Sequence, residues 1–225
     1  MFTASMFPSP FVHDLALLSL ADTKVDAACL VEPDWIKNAL EKCPWVVVRR
    51  SPAPNQTISI GVRGSERRQR WGGFAPYSQI VRLATPQELR SDLSAKNRLN
   101  LPAMRTLQFL ENELSSFSLE WGPGGSVGYE LASGTQVVHP KSDLDLVIRA
   151  QKRFARKFAK ELLTILLASP GKIDCRIETP WCGFSLEEYA RAETPSLLVR
   201  TPTGPRLAKD PWRYPSLRRD MRGSQ

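Results

Sequence analysis

Gly124-Gly125-Ser126-Val127-Gly128, followed by Ser142-Asp143-Leu144-Asp145-Leu146-Val147-Ile148, is the stretch on which the reading of this chain turns. The second run enters an apolar, β-branched strand with two carboxylates two residues apart. Side chains alternate along a strand, so Asp143 and Asp145 are expected on one face. Carboxylates that close repel each other, and a divalent cation relieves the repulsion. Magnesium takes few carboxylates and completes its shell with phosphate oxygens and water. In the first run, Gly125 lets backbone amides approach a phosphate, and a helix opening at Ser126 adds a favourable dipole and a hydroxyl donor. The two runs together predict a magnesium–triphosphate platform. The terminal phosphates would rest on Gly125 and Ser126, the acids would hold the α-phosphate, and pyrophosphate would leave in line.

Such a platform calls for a third carboxylate from a neighbouring strand, and Ile173-Asp174-Cys175-Arg176-Ile177-Glu178 offers one. Asp174 is the choice. Glu178 shares its strand face but lies roughly 13 Å further along. The expected catalytic and metal-binding set is therefore Asp143, Asp145 and Asp174, with Mg2+ as cofactor. Lys141, just ahead of the acids, can reach a leaving phosphate, whereas His139 reads as a plain loop residue. An isolated Asp-x-Asp or Gly-Ser turn is a weak signal. The weight comes from the order: helix, strand, Gly-Ser turn, acids entering a strand, basic helix, then a lone acid in another strand.

Working outward, the second half reads as a helix from Ala103 to Phe117, a short strand from Ser118 to Trp121, a strand and loop over Gly134–Pro140, and a strand over Leu144–Ile148. A long amphipathic helix from Gln151 to Ala168 follows, then the strand Ile173–Ile177. A hairpin joins Leu197–Thr201 to Arg206–Ala208, and a basic, proline-containing tail after Asp210 is expected to be partly disordered. In the first half, Phe11–Ala21 reads as a short buried helix and Glu32-Pro33-Asp34-Trp35 as a helix start. Trp45–Val48 and Thr57–Val62 read as paired strands around the turn Ser51–Asn55, and Ile80–Leu83 as a third strand. Thr85-Pro86-Gln87-Glu88 has the form of a capping box. Arg63, Arg67, Arg68 and Arg70 crowd one loop beside Trp71. Arg63, Arg67 and Arg70 are assigned to substrate phosphates, which forked guanidinium groups bind well. The fold class is α+β: a smaller N-terminal α+β domain over residues 1–98, a polar link, and a second domain over 99–225 with a mixed sheet flanked by helices.

The 225 residues carry 42% hydrophobic and 24% charged side chains, the balance of a globular protein with a real core. No apolar run approaches the ~18 residues of a membrane span. The spacings of Cys29, Cys43, Cys175 and Cys182 fit no zinc motif, so these are read as free thiols in a reducing, cytoplasmic setting. The net charge of +8 points to a polyanionic partner. Lys152, Arg153, Arg156, Lys157 and Lys160 would form one side of the long helix, opposite Phe154, Phe158, Leu162 and Ile165. That side suits an acidic protein. Nucleic acid is the less favoured partner, because no aromatic is interleaved with the basic residues for base stacking.

At the glycine turn and the acids the chain resembles the polymerase-β-like nucleotidyltransferase superfamily, which makes the second domain nucleotidyltransferase-like. Val127 to Ser142 is a longer separation than that superfamily usually shows, and is expected to form an extra loop or hairpin. Gly125-Ser126-Val127-Gly128-Tyr129-Glu130-Leu131-Ala132-Ser133-Gly134, running on to Ser142-Asp143-Leu144-Asp145-Leu146, resembles one member family more closely: malonate decarboxylase holo-acyl-carrier-protein synthases, or phosphoribosyl-dephospho-CoA transferases. Asp174–Gly183, Leu198–Thr201, Asp210–Trp212, Val48–Arg50 and Gly61–Arg70 extend the likeness over most of residues 40–213. The long separation suits that family. The resemblance implies a substrate, triphosphoribosyl-dephospho-CoA, and a partner, the acyl-carrier subunit of malonate decarboxylase, whose serine would attack the α-phosphorus. It carries Asp143 and Asp145 over as functional acids. A nucleotidyltransferase acting on RNA or a small molecule, and a non-catalytic nucleotide-binding module, are the alternatives.

Overall fold

A computed structural model of the chain describes residues 10–19, 26–27, 33–66, 68–91, 98–193 and 195–213. Arg67, Cys29, Glu32, most of the polar link and the tail from residue 214 lie outside these. The first half builds an antiparallel sheet from β1 (Leu15–Leu18), β2 (Asp26–Ala27), β3 (Trp45–Val48), β4 (Thr57–Arg63), β5 (Arg70–Pro76) and β6 (Ile80–Ala84), in the order β2-β5-β4-β3-β1-β6. The helix α1 (Trp35–Lys42) begins where Pro33 and Asp34 predict.

β1 corrects the expected helix over Phe11–Ala21. Its backbone pairs with β3 on one side and β6 on the other. Its side chains alternate between two cores, a period of two that the short apolar run alone could not distinguish from a buried helix. Ala16 and Leu18 join Val46, Val48, Ile58, Ile60, Val62 and Trp71 against Ile36 and Leu40 of α1. Leu15 joins Trp45 and Ala84 in the core of the second half, with Leu17 and Val47 packed beside them. One face of this sheet thus has its own small core and the other is sealed onto the rest of the protein.

The second half is a mixed sheet, in the order β12-β11-β10-β9-β8-β7. Its strands are β7 (Glu120–Pro123), β8 (Leu144–Arg149), β9 (Ile173–Glu178), β10 (Gly183–Ser185), β11 (Leu197–Thr201) and β12 (Gly204–Ala208). Among the described strands, β8 and β9 alone run parallel. The helices are α2 (Pro86–Ser91), α3 (Pro102–Glu113), α4 (Gly125–Ser133), α5 (Arg156–Leu167) and α6 (Leu186–Arg191). The capping box at α2 forms as read: Thr85 N–H donates to Glu88 Oε2 at 2.9 Å and Glu88 N–H to Thr85 Oγ1 at 3.3 Å. Such a cap contributes about 1 kcal/mol. Cys43, Cys175 and Cys182 are free. No helix among the described residues is long and apolar enough to cross a membrane.

Two elements of the second half also depart from the sequence reading. Of the extra loop or hairpin expected over Val127–Ser142 it is the loop that forms, and the strand read within Gly134–Pro140 does not: α4 runs to Ser133, Gly134 closes it at φ +72°, and an irregular loop follows. Glu130 holds that loop, its Oε2 accepting from the amides of Val137 and Val138 at 2.8 Å each, so those amides are not offered to a strand partner. Arg98 in turn donates to Glu130 Oε1 at 2.6 Å. The long helix starts at Arg156 rather than Gln151. Trp212 Nε1–H takes the Ala150 carbonyl and the Tyr189 hydroxyl takes that of Phe154, so carbonyls an earlier first turn would use are engaged elsewhere.

Candidate active site

In the parallel pair β8–β9, partners in register point to the same side of the sheet. Asp145 stands beside Asp174, Val147 beside Arg176, and Arg149 beside Glu178. The opposite side carries Leu144, Leu146, Ile148, Cys175 and Ile177, all buried in the large core. Alternation has therefore sorted these strands into an apolar face that anchors them and a face where Asp145, Asp174, Arg176, Arg149 and Glu178 gather around Val147. Asp143 lies one residue before β8 and is exposed, so the acidic pair is one strand residue and one turn residue. Burial raises the Asp145 pKa above the usual carboxylate range, and the charges of Asp143 and Asp174 raise it further. The three acids chosen from sequence thus meet electrostatically. Asp174 Oδ2 accepts from Arg176 at 3.0 Å.

The glycine turn and Asp145 are fitted to each other. Gly124 N–H donates to the Asp145 carbonyl at 2.8 Å. Gly125 has φ +54°, and a β-carbon there would lie 2.9 Å from Asp145 Cβ and run into the carboxylate. Glycine is required both for the left-handed backbone and for the space. Ser126 is half-buried in the first turn of α4, where amides have no intrahelical acceptor. Lys141 is exposed in a turn closed by Ser142 N–H to the His139 carbonyl at 2.9 Å and His139 N–H to Ser142 Oγ at 3.1 Å. That turn delivers the chain into Asp143.

Arg63 ends β4 and Arg70 opens β5, in register with each other. The charge of Arg70 opposes the rise of the Asp145 pKa, which places it within electrostatic reach of the acids. Arg68 turns instead to Glu66 at 2.6 Å and is exposed.

Sequence reasoning missed a clasp at the far end of the same two strands. Arg149 pairs with Asp14, and its guanidinium stacks 4.8 Å from the Phe11 ring centroid. Glu178 pairs with Arg50 and accepts from His13 Nε2 at 2.9 Å. Glu178 is only 3% exposed and fully engaged, so it is no reserve for the third acid. Dehydration of the His13 ring, then the Arg50 charge, lower its pKa to about 4, so the ring is neutral at pH 7 and Nε2–H donates. His13 adopts φ +73°, a strained backbone for a non-glycine residue. Burial likewise pushes the Asp14 pKa up, against the Phe11 amide and Arg149. A polar residue interrupting an apolar run, as His13-Asp14 does, was the one available signal. The basic run also divides. Arg149 is buried in the clasp, Arg156 donates to the Ala192 carbonyl at 2.6 Å, and Arg153 reaches Asp210 at 3.3 Å. Lys152, Lys157 and Lys160 remain exposed.

Among the described residues, no group of three or more His, Cys, Asp or Glu side chains is gathered closely enough to hold a metal ion. A mixed sheet whose parallel strands set acids beside a glycine-opened helix offers carboxylate oxygens and backbone amides to a phosphate-bearing group, the chemistry of a transferase.

The chain belongs to the phosphoribosyl-dephospho-CoA transferase family. The model of the "Phosphoribosyl-dephospho-CoA transferase MdcG C-terminal domain" matches residues 88–211, and that of the corresponding N-terminal domain matches residues 11–86. Phosphoribosyl-dephospho-CoA transferases of Pseudomonas aeruginosa and Pseudomonas putida are 42% and 39% identical, each over 91% of this chain and 94% and 96% of their own length. The one from Azotobacter vinelandii is 34% identical over 92% of this chain and 96% of its own. No solved structure matches.

Proposed function

We propose that this enzyme moves the phosphoribosyl-dephospho-CoA group of 2′-(5″-triphosphoribosyl)-3′-dephospho-CoA onto a serine of the apo acyl-carrier subunit of malonate decarboxylase, in the cytoplasm, with release of pyrophosphate. The observation that carries the reading is the row Asp145–Asp174 beside Gly125, in a chain of this family. Family membership does not favour an RNA or small-molecule nucleotidyltransferase, or a non-catalytic module.

The residues suit magnesium. Their donors are all oxygen, and a cation would offset what raises the Asp145 pKa, burial first and then the charges of Asp143 and Asp174. A site finished by phosphate oxygens needs only one or two carboxylates, so no all-protein cage is required. When bound, the ion neutralises charge on the reacting phosphate and its leaving group. Asp143 and Asp145 would hold it. Asp174, steadied by Arg176, would orient or deprotonate the incoming serine hydroxyl. The α4 amides, Ser126, Lys141, Arg63 and Arg70 would receive the phosphates that depart; Arg67 belongs to the same expectation.

The test is mass spectrometry of apo carrier incubated with enzyme, magnesium and the triphosphoribosyl precursor. The expected product is carrier heavier by one phosphoribosyl-dephospho-CoA, with stoichiometric pyrophosphate. Unmodified carrier with folded enzyme and intact precursor refutes the reading.

A further inference from the structure

The sheet of the first half carries a row of cations on the face that meets the catalytic half. In β3, β4 and β5, Val46, Val48, Ile60, Val62 and Trp71 point toward α1. The alternate residues, Trp45 and Val47 among them, point the other way, and these two pack on the core of the second half. Continuing past Val47 by one alternation reaches Arg49. Val47 is in register with Gly61, and Gly61 with Gly72. Arg63 and Arg70, themselves in register, stand one alternation from those glycines on the side away from the Arg49 backbone, and the Arg49 side chain reaches back toward them. Three guanidinium groups therefore share one face, and the sequences of these three strands contain no acidic residue.

Arg49 lies across its neighbours rather than out into solvent. A β-carbon at Gly61 would meet Arg49 Cδ at 3.2 Å, and one at Gly72 would meet Arg49 Cζ at 2.7 Å. Two glycines on adjacent strands thus leave the space in which the Arg49 side chain lies across the sheet, and the residue as a whole is exposed. The helix α4, which opens at Gly125 beside Asp145, packs on β3, so the face looks toward the glycine turn and the acids; Arg70 on that face also acts electrostatically on Asp145. Flat, fixed guanidinium forks bind phosphate oxygens in pairs, and holding them in advance reduces the entropy lost on binding.

We propose that Arg49, seated on Gly61 and Gly72, is the central cation of a polyphosphate-binding wall completed by Arg63 and Arg70. The wall would face the departing pyrophosphate end of the substrate, and this part rests on the functional reading above. The N-terminal domain is then one side of the active site.

The test is calorimetric binding of inorganic tripolyphosphate to the full chain in magnesium buffer, alongside turnover. Arg49→Ala should weaken tripolyphosphate on the order of 10- to 100-fold, as expected for loss of hydrogen bonds to a charged group. Gly72→Ala should produce a similar loss, because the new methyl lifts only the far end of a flexible side chain and the strand tolerates alanine. In the Arg49→Ala background, Gly72→Ala should add less than about twofold, the mark of two residues acting through one another. Arg49→Ala binding within twofold of the parent, or equal losses from Gly72→Ala in both backgrounds, overturns the wall. If the parent binds tripolyphosphate in this pattern yet transfers nothing to carrier, the functional reading fails and the polyphosphate site stands.

Discussion

Replacing Gly125 by alanine separates where Asp145 sits from what it is. The substitution has two costs. A non-glycine residue at φ +54° costs roughly 1–2 kcal/mol. The new β-carbon would also lie 2.5 Å from Asp145 Cγ and 2.9 Å from its Cβ, where ordinary contact is about 3.5 Å. The carboxylate must therefore retreat by about 1 Å. Gly134→Ala is the matched control, since φ is +72° and nothing lies within 4 Å of its β-carbon. Both variants should lose a similar backbone increment, a few degrees of melting temperature at ~2–4 °C per kcal/mol for a chain of this size. Turnover should part them. A 1 Å displacement of a catalytic group costs on the order of 10²-fold, whereas Gly134→Ala should stay within about threefold of the parent. Melting curves and pyrophosphate release, measured together, give the answer. Near-parental turnover in Gly125→Ala, or equal losses in both variants, would refute the idea that the carboxylate must lie over the turn.

Asp145→Asn should abolish turnover while raising the melting temperature of the metal-free protein, because it removes a charge that burial, Asp143 and Asp174 all disfavour; calorimetry without magnesium checks the sign. Asp174→Asn should bind the triphosphate substrate nearly normally but turn over at least 10²-fold more slowly, as read from binding and single-turnover assays. The folded His13 titrates near 4, below the 6.5 of the unfolded chain, so the unfolded state takes up its proton first as pH falls. This contribution to stability is intact above pH 6.5 and is lost between 6.5 and 4, on the order of 1 kcal/mol once its contact with solvent is allowed for; melting curves against pH should be flatter in His13→Gln. Reversing Lys152, Lys157 and Lys160 to glutamate should raise the Michaelis constant for carrier several-fold at low salt and leave tripolyphosphate binding unchanged, since exposed charges act over about 8 Å at physiological ionic strength.

The parts legible in sequence were those whose signal is local. Thr85–Glu88 closes its cap within four residues, and Asp145 with Asp174 could be aligned because each opens a strand of known period. The parts that were not legible depend on distant partners. Leu15–Leu18 is a strand because Val46 and Leu83 lie on either side of its middle, and nothing within the run says so. Glu130 carries no local sign that the Val137 and Val138 amides need it. Arg149 has nothing beside it in sequence to mark its role, yet it answers a carboxylate 135 positions away. Nothing beside Arg49 in sequence marks it, since the glycines that seat it lie on two other strands.

Arg149 and Glu178 stand directly opposite each other on β8 and β9, yet neither is bound to its neighbour; each reaches across to the other half of the chain, to Asp14 and Arg50. Closing the two halves is thus an exchange of dancing partners: the charges that the clasp buries would otherwise have been able to satisfy each other. Beside this clasp, Leu15, Trp45 and Ala84 close the same seam with apolar surface, so the charges select the register in which the halves meet while the apolar contacts supply the adhesion.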